Sequence, residues 1–240
     1  MQIEDIQGDP KRRSGWLIPV AVFFATACLS ALVFAYYLVP DSGGFGVELP
    51  APTDSTAPIA LAIGQTRFQV PANYLPLAST REGGDTGRIA IAALLPDFVG
   101  HTSANAEAFV EMGPAARSVS IDLRGAPVPA PEAARMDRVY LVQTVDRAGT
   151  PGPYGLRQYA FRADSGYHNQ DLLVGATDSG TVILLCTKPA PEVAAPSCMR
   201  DTALAPDLAL SYRFRRAQLA NWRTIEAGAR ALVTRFTVKS

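Results

Sequence analysis

Residues 16–39 read WLIPVAVFFATACLSALVFAYYLV, a run without a charged side chain that is closed by Pro40-Asp41. As a helix rising about 1.5 Å per residue it spans about 36 Å, enough to cross a hydrocarbon core about 30 Å thick with room for tilt. Lipid offers no hydrogen bonds, so a lone segment crosses it only as a helix that satisfies its own backbone. Pro19 falls in the first turn, where a missing N–H costs little. Trp16 and the pair Tyr36-Tyr37 put amphipathic rings at the two headgroup levels.

The flanks set the orientation. Lys11, Arg12 and Arg13 precede the span, and Asp41 and Glu48 follow it, so the N-terminus is expected inside and the remainder exported. The division expected is a cytoplasmic tail (1–15), a transmembrane helix (16–39), a flexible linker (40–58) and a periplasmic domain (59–240). That describes a single-pass protein of the bacterial inner membrane whose partner through 16–39 is the lipid bilayer. A cleaved signal peptide is the first alternative, but its apolar region runs about 7–15 residues. Here the apolar run continues through Val33, Phe34, Tyr36, Tyr37 and Leu38. A lipoprotein acylated at Cys28 is the second. Ala25 stands where a larger aliphatic residue is expected, and apolar residues follow the cysteine instead of a polar tether. Cys28 therefore reads as a lining residue of the helix.

Lys and Arg total 22 and Asp and Glu total 22, so the chain has no global bias toward nucleic acid or acidic ligands, and no nucleic-acid partner is expected. The balance hides an asymmetry. Residues 41–198 carry 16 acidic and 11 basic side chains, whereas 199–240 carry 3 acidic and 8 basic ones. The two cysteines outside the span, Cys186 and Cys198, stand twelve positions apart. In an oxidising compartment they most simply form a disulfide around the Pro- and Ala-rich segment between them. The other readings are two unpaired buried thiols, or a metal site that lacks further ligands nearby.

Beyond the Gly-, Pro- and Ser-rich residues 40–58, the pattern becomes that of a compact α+β domain. Arg67 to Val70 reads as a strand stopped by Pro71, and Ala72 to Leu75 as a helical turn. Ile89 to Leu95 is an apolar run expected to be an inner strand buried on both faces. Ser103 is a candidate N-cap for a helix over 104–112. Arg117 to Arg124 alternates cleanly, with Val119, Ile121 and Leu123 on the dry side. Residues 132–146 mix a helical EAARMDR with a strand-like VYLVQTV and are divided near Arg138. A strand is expected at Leu156 to Arg162, and a hairpin from Asp171–Ala176 and Thr181–Thr187. Ala209 to Arg215 alternates again. Over 216–236, Leu219, Trp222, Ile225, Ala229, Leu232, Val233 and Phe236 make one broad helical stripe, which needs a sheet to lie on.

No zinc pattern, phosphate loop, dinucleotide fingerprint or nucleophile elbow is present, so no catalytic residue, cofactor or metal ligand is assigned. His101 and His168 stand alone in loops. Arg216, Arg223 and Arg230 recur at seven-residue steps on the terminal helix, with Arg213 and Arg215 just before it. Such a stripe is either a solvated helix face or a patch for lipid headgroups or an acidic protein surface.

The segments Arg67-Phe-Gln-Val-Pro-Ala-Asn-Tyr74, Leu95-Pro-Asp-Phe98 and Tyr212-Arg-Phe-Arg-Arg216, with Leu219 and Trp222 beyond, resemble those of uncharacterised bacterial single-pass membrane proteins. The resemblance covers most of 60–236 and implies no named activity. The order of elements is also similar to the Mog1/PsbP-like α+β shape, which would not by itself give a function. The function expected is a non-enzymatic binding or accessory module serving a larger envelope complex through a protein partner. The alternatives are an envelope enzyme built from Asp97, His101 and Arg81, and a signalling anchor.

Overall fold

The computed structural model describes residues 15–38, 48–125, 131–178 and 180–238. The expected tail, apart from Gly15, and the first part of the expected linker lie outside these residues, as does most of the Pro-rich loop before 132. Two compact units are present, one ending at Glu48 and the other running from Leu49 to Ser240.

The described residues of the first unit form the helix α1 (Leu17–Leu38). Its stretch Ile18–Ala35 is long and apolar enough to cross a membrane and has none of its surface buried. The hydroxyl of Thr26 donates back to the carbonyls of Val22 (3.0 Å) and Phe23 (2.9 Å), so this hydroxyl needs no water.

The second unit is α+β, as the alternating strands and the striped terminal helix require. A hairpin of β1 (Pro58–Ile63) and β2 (Thr66–Pro71) turns at Gly64-Gln65, and β3 (Gly84–Asp85) pairs beside it. The larger sheet contains β4 (Arg88–Leu94), β5 (Ser118–Gly125), β6 (Thr150–Pro151), β7 (Arg157–Ala160), β8 (Gln170–Thr177), β9 (Gly180–Thr187), β10 (Ser197–Ala205) and β11 (Leu208–Arg215). Its order is β4-β5-β11-β10-β9-β8-β7-β6, and every neighbouring pair is antiparallel. A short helix, α2 (Ala106–Val110), follows a capped turn at Ser103–Asn105.

One face of this sheet carries α4 (Trp222–Phe236), the outcome its stripe calls for. Trp222, Ile225, Ala229, Leu232, Val233 and Phe236 are buried with Ile89 and Ile91 of β4, Ile121 and Leu123 of β5, Leu210 and Tyr212 of β11, and Val182 and Leu184 of β9. The hairpin closes the end of this core through Phe68 and Val70, with Tyr74 edge-on to Phe236 at 5.0 Å between ring centres. Among the described residues the opposite face is covered at the β7–β9 end. There α3 (Glu132–Arg135), a wide π-type turn (Met136–Tyr140) and a final tight turn bury Tyr140 with Tyr159, Phe161, Leu172 and Ile183.

Three expectations are corrected. The run Ile89–Leu95 is not an inner strand: β4 closes one end of the sheet and buries only alternate residues over most of its length. Its apolar outer residues are small alanines, which hides the alternation. Residues 132–143 are helical throughout, so VYLVQTV is no strand; Tyr140 and Leu141 spend their apolar surface on the second core from a helical turn. The linker is also shorter than 40–58, because 51–57 is strapped to the domain. Ala51 N–H donates to Pro76 O (2.8 Å), Ala72 N–H donates to Ala57 O (2.9 Å), and Asp54 accepts from Ser103 N–H (2.9 Å).

The turn Leu95–Phe98 carries a cis Leu95–Pro96 peptide and holds Phe98 at φ 53°, which lays its ring on Gly228 of α4. A Cβ at Gly228 would come within 2.1 Å of that ring. Helix propensity alone makes Gly→Ala stabilising by about 1 kcal/mol. Overpacking at a closed contact costs about 1–3 kcal/mol. Gly228→Ala is therefore expected to destabilise the domain by up to about 2 kcal/mol in urea unfolding; a gain in stability would show the contact to be loose.

Candidate functional site

The most concentrated chemistry in the domain is buried beneath α4. Arg200 points inward from β10, where its side chain is 1% exposed. Its Nη2 donates to Glu132 Oε1 at the start of α3 (2.6 Å) and to the carbonyl of Thr181 on β9 (3.1 Å). Its Nη1 is ion-paired with Glu226 of α4, while its Nε makes no hydrogen bond. Glu226 also accepts from the Tyr212 hydroxyl (2.6 Å) and from Arg230 Nε (2.5 Å), and Arg230 reaches the Thr202 hydroxyl at 3.4 Å.

These groups fix one another's protonation. Burial works to raise Glu226, but the hydrogen bonds from Tyr212 and Arg230 and the charge of Arg200 outweigh it, so the carboxylate lies below its usual range. Burial, and then the Glu226 charge, push the Tyr212 phenol far up. Burial opposes the charge on Arg200, yet its bond to Glu132 and the Glu226 charge leave it raised. The cluster is thus a locked ion pair with a neutral phenol. It ties α4, α3, β9, β10 and β11 together and has no group poised to move a proton near neutrality.

A different arrangement lies on the other side of the sheet. Along β4, β5, β11 and β10 the outward residues fall in register, with Arg88 beside Arg124, Ala90 beside Asp122 and Ala92 beside Ser120. Ser211 stands between Asp122 and Asp201, and Arg213 between Ser120 and Met199. Two crossed ion pairs, Arg88–Asp122 (2.5 Å) and Arg124–Asp201 (3.3 Å), sit above small side chains. Arg88, Asp122, Arg124, Met199, Asp201, Ser211 and Arg213 together line a shallow recess of about 340 Å³. No helix covers this half of the face among the described residues.

The residues expected to form sites are dispersed. His101 is buried; its Nδ1 lies 3.0 Å from Asp54 Oδ1 and 3.3 Å from Thr53 O, and its ring meets Phe109, so it anchors the strap 51–57. The hydrogen bonds from Ser103 are the main cause that holds the exposed Asp54 carboxyl below its usual range, and His101 adds to it. Arg81 donates to Leu75 O (2.7 Å), and Asp97 is exposed on the 95–98 turn. No hydrogen bond or ion pair joins any two of Asp97, His101 and Arg81 among the described residues. His168 is held in its own loop, with Nδ1 at 2.9 Å from Ser165 O.

The five arginines are divided rather than aligned. Arg216 turns in to Asp171 (2.6 Å) and to the carbonyl of Thr187 (2.9 Å), and Arg230 belongs to the buried cluster. Arg223 lies over Trp222 at 4.4 Å and donates to Tyr154 O (3.4 Å). Arg213 and Arg215 leave β11 on the face opposite α4, where Arg215 donates to Ala195 O and Met112 O. Cys186 and Cys198, directly paired across β9 and β10, are joined in a disulfide.

Sequence reasoning missed Arg200, Glu226 and Tyr212, and with them the whole of β10. The inward residues of that strand are Cys198, Arg200 and Thr202, so no apolar alternation marks it. The readable signal was Glu226 itself, an acid in the apolar stripe of the terminal helix, which needs a buried cation opposite it.

Protein-family models and curated proteins give no match to this chain. Among solved structures it is similar to an immunity protein of the Stenotrophomonas maltophilia type IV secretion system. The TM-score is 0.57 at 15% identity, over 80% of this chain and 100% of that one. An iron-regulated outer membrane lipoprotein of Neisseria meningitidis matches with a TM-score of 0.48 at 10% identity, over 78% of this chain and 97% of that one. The first likeness is one of fold, and neither shows the Mog1/PsbP-like shape expected from element order.

Proposed function

We propose that the chain is a membrane-anchored accessory module of the bacterial envelope, held by α1 in the inner membrane, that works by binding a protein partner on its exported domain. The observation that carries the reading is the uneven cover of the large sheet. Its β7–β9 end has a helical layer on both faces, while β4, β5, β11 and β10 have α4 on one face and an open, patterned surface on the other. The buried charges support a binding role over a catalytic one, since Arg200, Glu226 and Tyr212 are committed to each other beneath α4. An apolar helix with no buried surface supports the anchor. A disulfide in the middle of the sheet supports an oxidising compartment outside the cytoplasm. The immunity protein supplies a precedent for the fold only, and its partner is not transferred.

A photo-crosslinking residue placed at Ser120, on the open face, and separately at Ala227, exposed on α4, tests this in intact membranes. The expected result is a discrete adduct with another protein from Ser120 and none from Ala227. Equal adducts from both positions, or none from Ser120, would contradict it.

A further inference from the structure

We infer that the open face of β4, β5, β11 and β10 docks an acidic protein surface; the inference rests on the binding reading above and supplies the partner's chemistry. Four guanidiniums (Arg88, Arg124, Arg213 and Arg215) leave this face against two carboxylates (Asp122 and Asp201). Arg88 and Arg124 each have an acidic partner on the face and still expose 62% and 49% of their side chains. Arg213 is exposed, and among the described residues its hydrogen bonding is confined to the Met199 sulfur at 3.5 Å. Arg215 is spent on carbonyls. The face therefore carries an excess of positive charge centred on Arg124 and Arg213, and Arg213 has no carboxylate of its own among the described residues.

The floor between these arms is made of Ala90, Ala92, Ser120, Ala209 and Ser211. Ala209 and Ser211 are 5% and 9% exposed although no helix among the described residues lies over them, which places them at the bottom of a recess walled by the longer side chains. A shallow recess with small side chains below and guanidinium forks at its rim accepts a carboxylate-bearing protrusion, because the planar fork meets a carboxylate with two parallel hydrogen bonds.

A membrane surface fits less well. Asp122 and Asp201 sit among the arginines, and a uniformly anionic bilayer would press on both. The large apolar side chains that stand exposed in the domain, such as Val99, Val110, Met112 and Tyr154, lie off these four strands, so the face has nothing to insert into lipid. A partner with its own pattern of acids and gaps avoids both costs.

The test uses the full chain in nanodiscs of zwitterionic phosphatidylcholine and a fluorescein-labelled poly-L-glutamate peptide, followed by anisotropy. The double variant Arg124→Glu/Arg213→Glu should weaken binding at least about tenfold. Arg223→Glu/Arg235→Glu, which makes the same change in net charge from α4, should leave it within about twofold. Arg124→Gln/Arg213→Gln removes the charges without setting Glu against Asp201, and it should also weaken binding. Peptide binding unaffected by the open-face variants overturns the inference. So does tighter binding to phosphatidylglycerol vesicles that the same variants abolish, or a Ser120 crosslink to a second copy of this chain. The Ser120 adduct separates the two claims. An adduct that survives Arg124→Glu/Arg213→Glu and maps to a peptide without Asp or Glu rejects the acidic partner while leaving the binding role in place. Loss of the adduct in that variant, with the crosslinked peptide rich in Asp or Glu, supports both.

Discussion

Replacing Arg200 with methionine is expected to lower the stability of the α+β domain by about 3–5 kcal/mol, the cost of removing one partner from a buried ion pair. A domain of ordinary stability has about 5–15 kcal/mol in total, so the variant sits near the edge of folding. The guanidinium faces Glu226, whose side chain is 2% exposed, so its loss leaves a buried carboxylate short of its nearest cation. Arg230 and Tyr212 keep Glu226 from being wholly alone, which holds the loss inside that range. Urea unfolding of the domain measures it. The double variant Arg200→Met/Glu226→Gln should lose less than the sum of the two single losses, because the second change removes the charge that the first one stranded.

The same cluster fixes an acid limb. Glu226 is held below its usual range in the folded state and titrates near 4.3 in the unfolded chain. The unfolded chain therefore takes up the proton first as the pH falls. The stability contributed by this carboxylate is complete above its unfolded value and declines below it, down through the folded value. Stability measured from pH 6 to pH 3.5 should fall less steeply in Glu226→Gln than in the parent; identical slopes would show that Glu226 is not the group that responds.

Cys186→Ser/Cys198→Ser is expected to cost about 3 kcal/mol, the chain-entropy value for a loop of similar size. For a domain of this length that lowers the melting temperature by about 6–12 °C. The position of the bridge gives the loss a location. β9 and β10 are in register only at Cys186–Cys198 and Leu185–Met199, so the eight-stranded sheet is joined at its middle by a two-residue ladder and one disulfide. The half made of β4, β5, β11 and β10 meets the other half there, and Arg200 crosses the same gap to Thr181 O. Hydrogen exchange in the variant should therefore quicken first in β9 and β10, while β4–β5 and β7–β8 keep most of their protection. Uniform quickening would mean that the bridge acts on the unfolded chain alone.

What could be read in advance follows from how each element spends its apolar residues. β5, β11 and α4 put large apolar residues on one side and small or polar ones on the other, so their period is visible in the residue order, whereas β8 and β9 are buried on both faces and read as short apolar runs. β10 faces the core with a cysteine, an arginine and a threonine, and a polar inward face is invisible to a hydropathy pattern. Residues 132–143 show the opposite failure. Their β-branched and aromatic run has strand propensity, but packing against Tyr159, Phe161 and Leu172 selects a helical turn. The disulfide was legible because two cysteines and one compartment leave few choices. The seven-residue arginine spacing was real, but spacing along a helix says nothing about which arms turn inward, and Arg216 and Arg230 both do. The open face was illegible because it is assembled from four strands far apart in the chain.

Permanent anchorage with export is tested most directly by adding protease and a membrane-impermeant thiol reagent to intact spheroplasts. The expected result is cleavage of the domain from the outer side, a membrane-retained fragment that contains α1, and no labelling of Cys186 or Cys198 until a reductant is added. A domain that resists the protease until the vesicles are inverted, with both thiols free, would contradict it, as would a mature chain that begins beyond Tyr37.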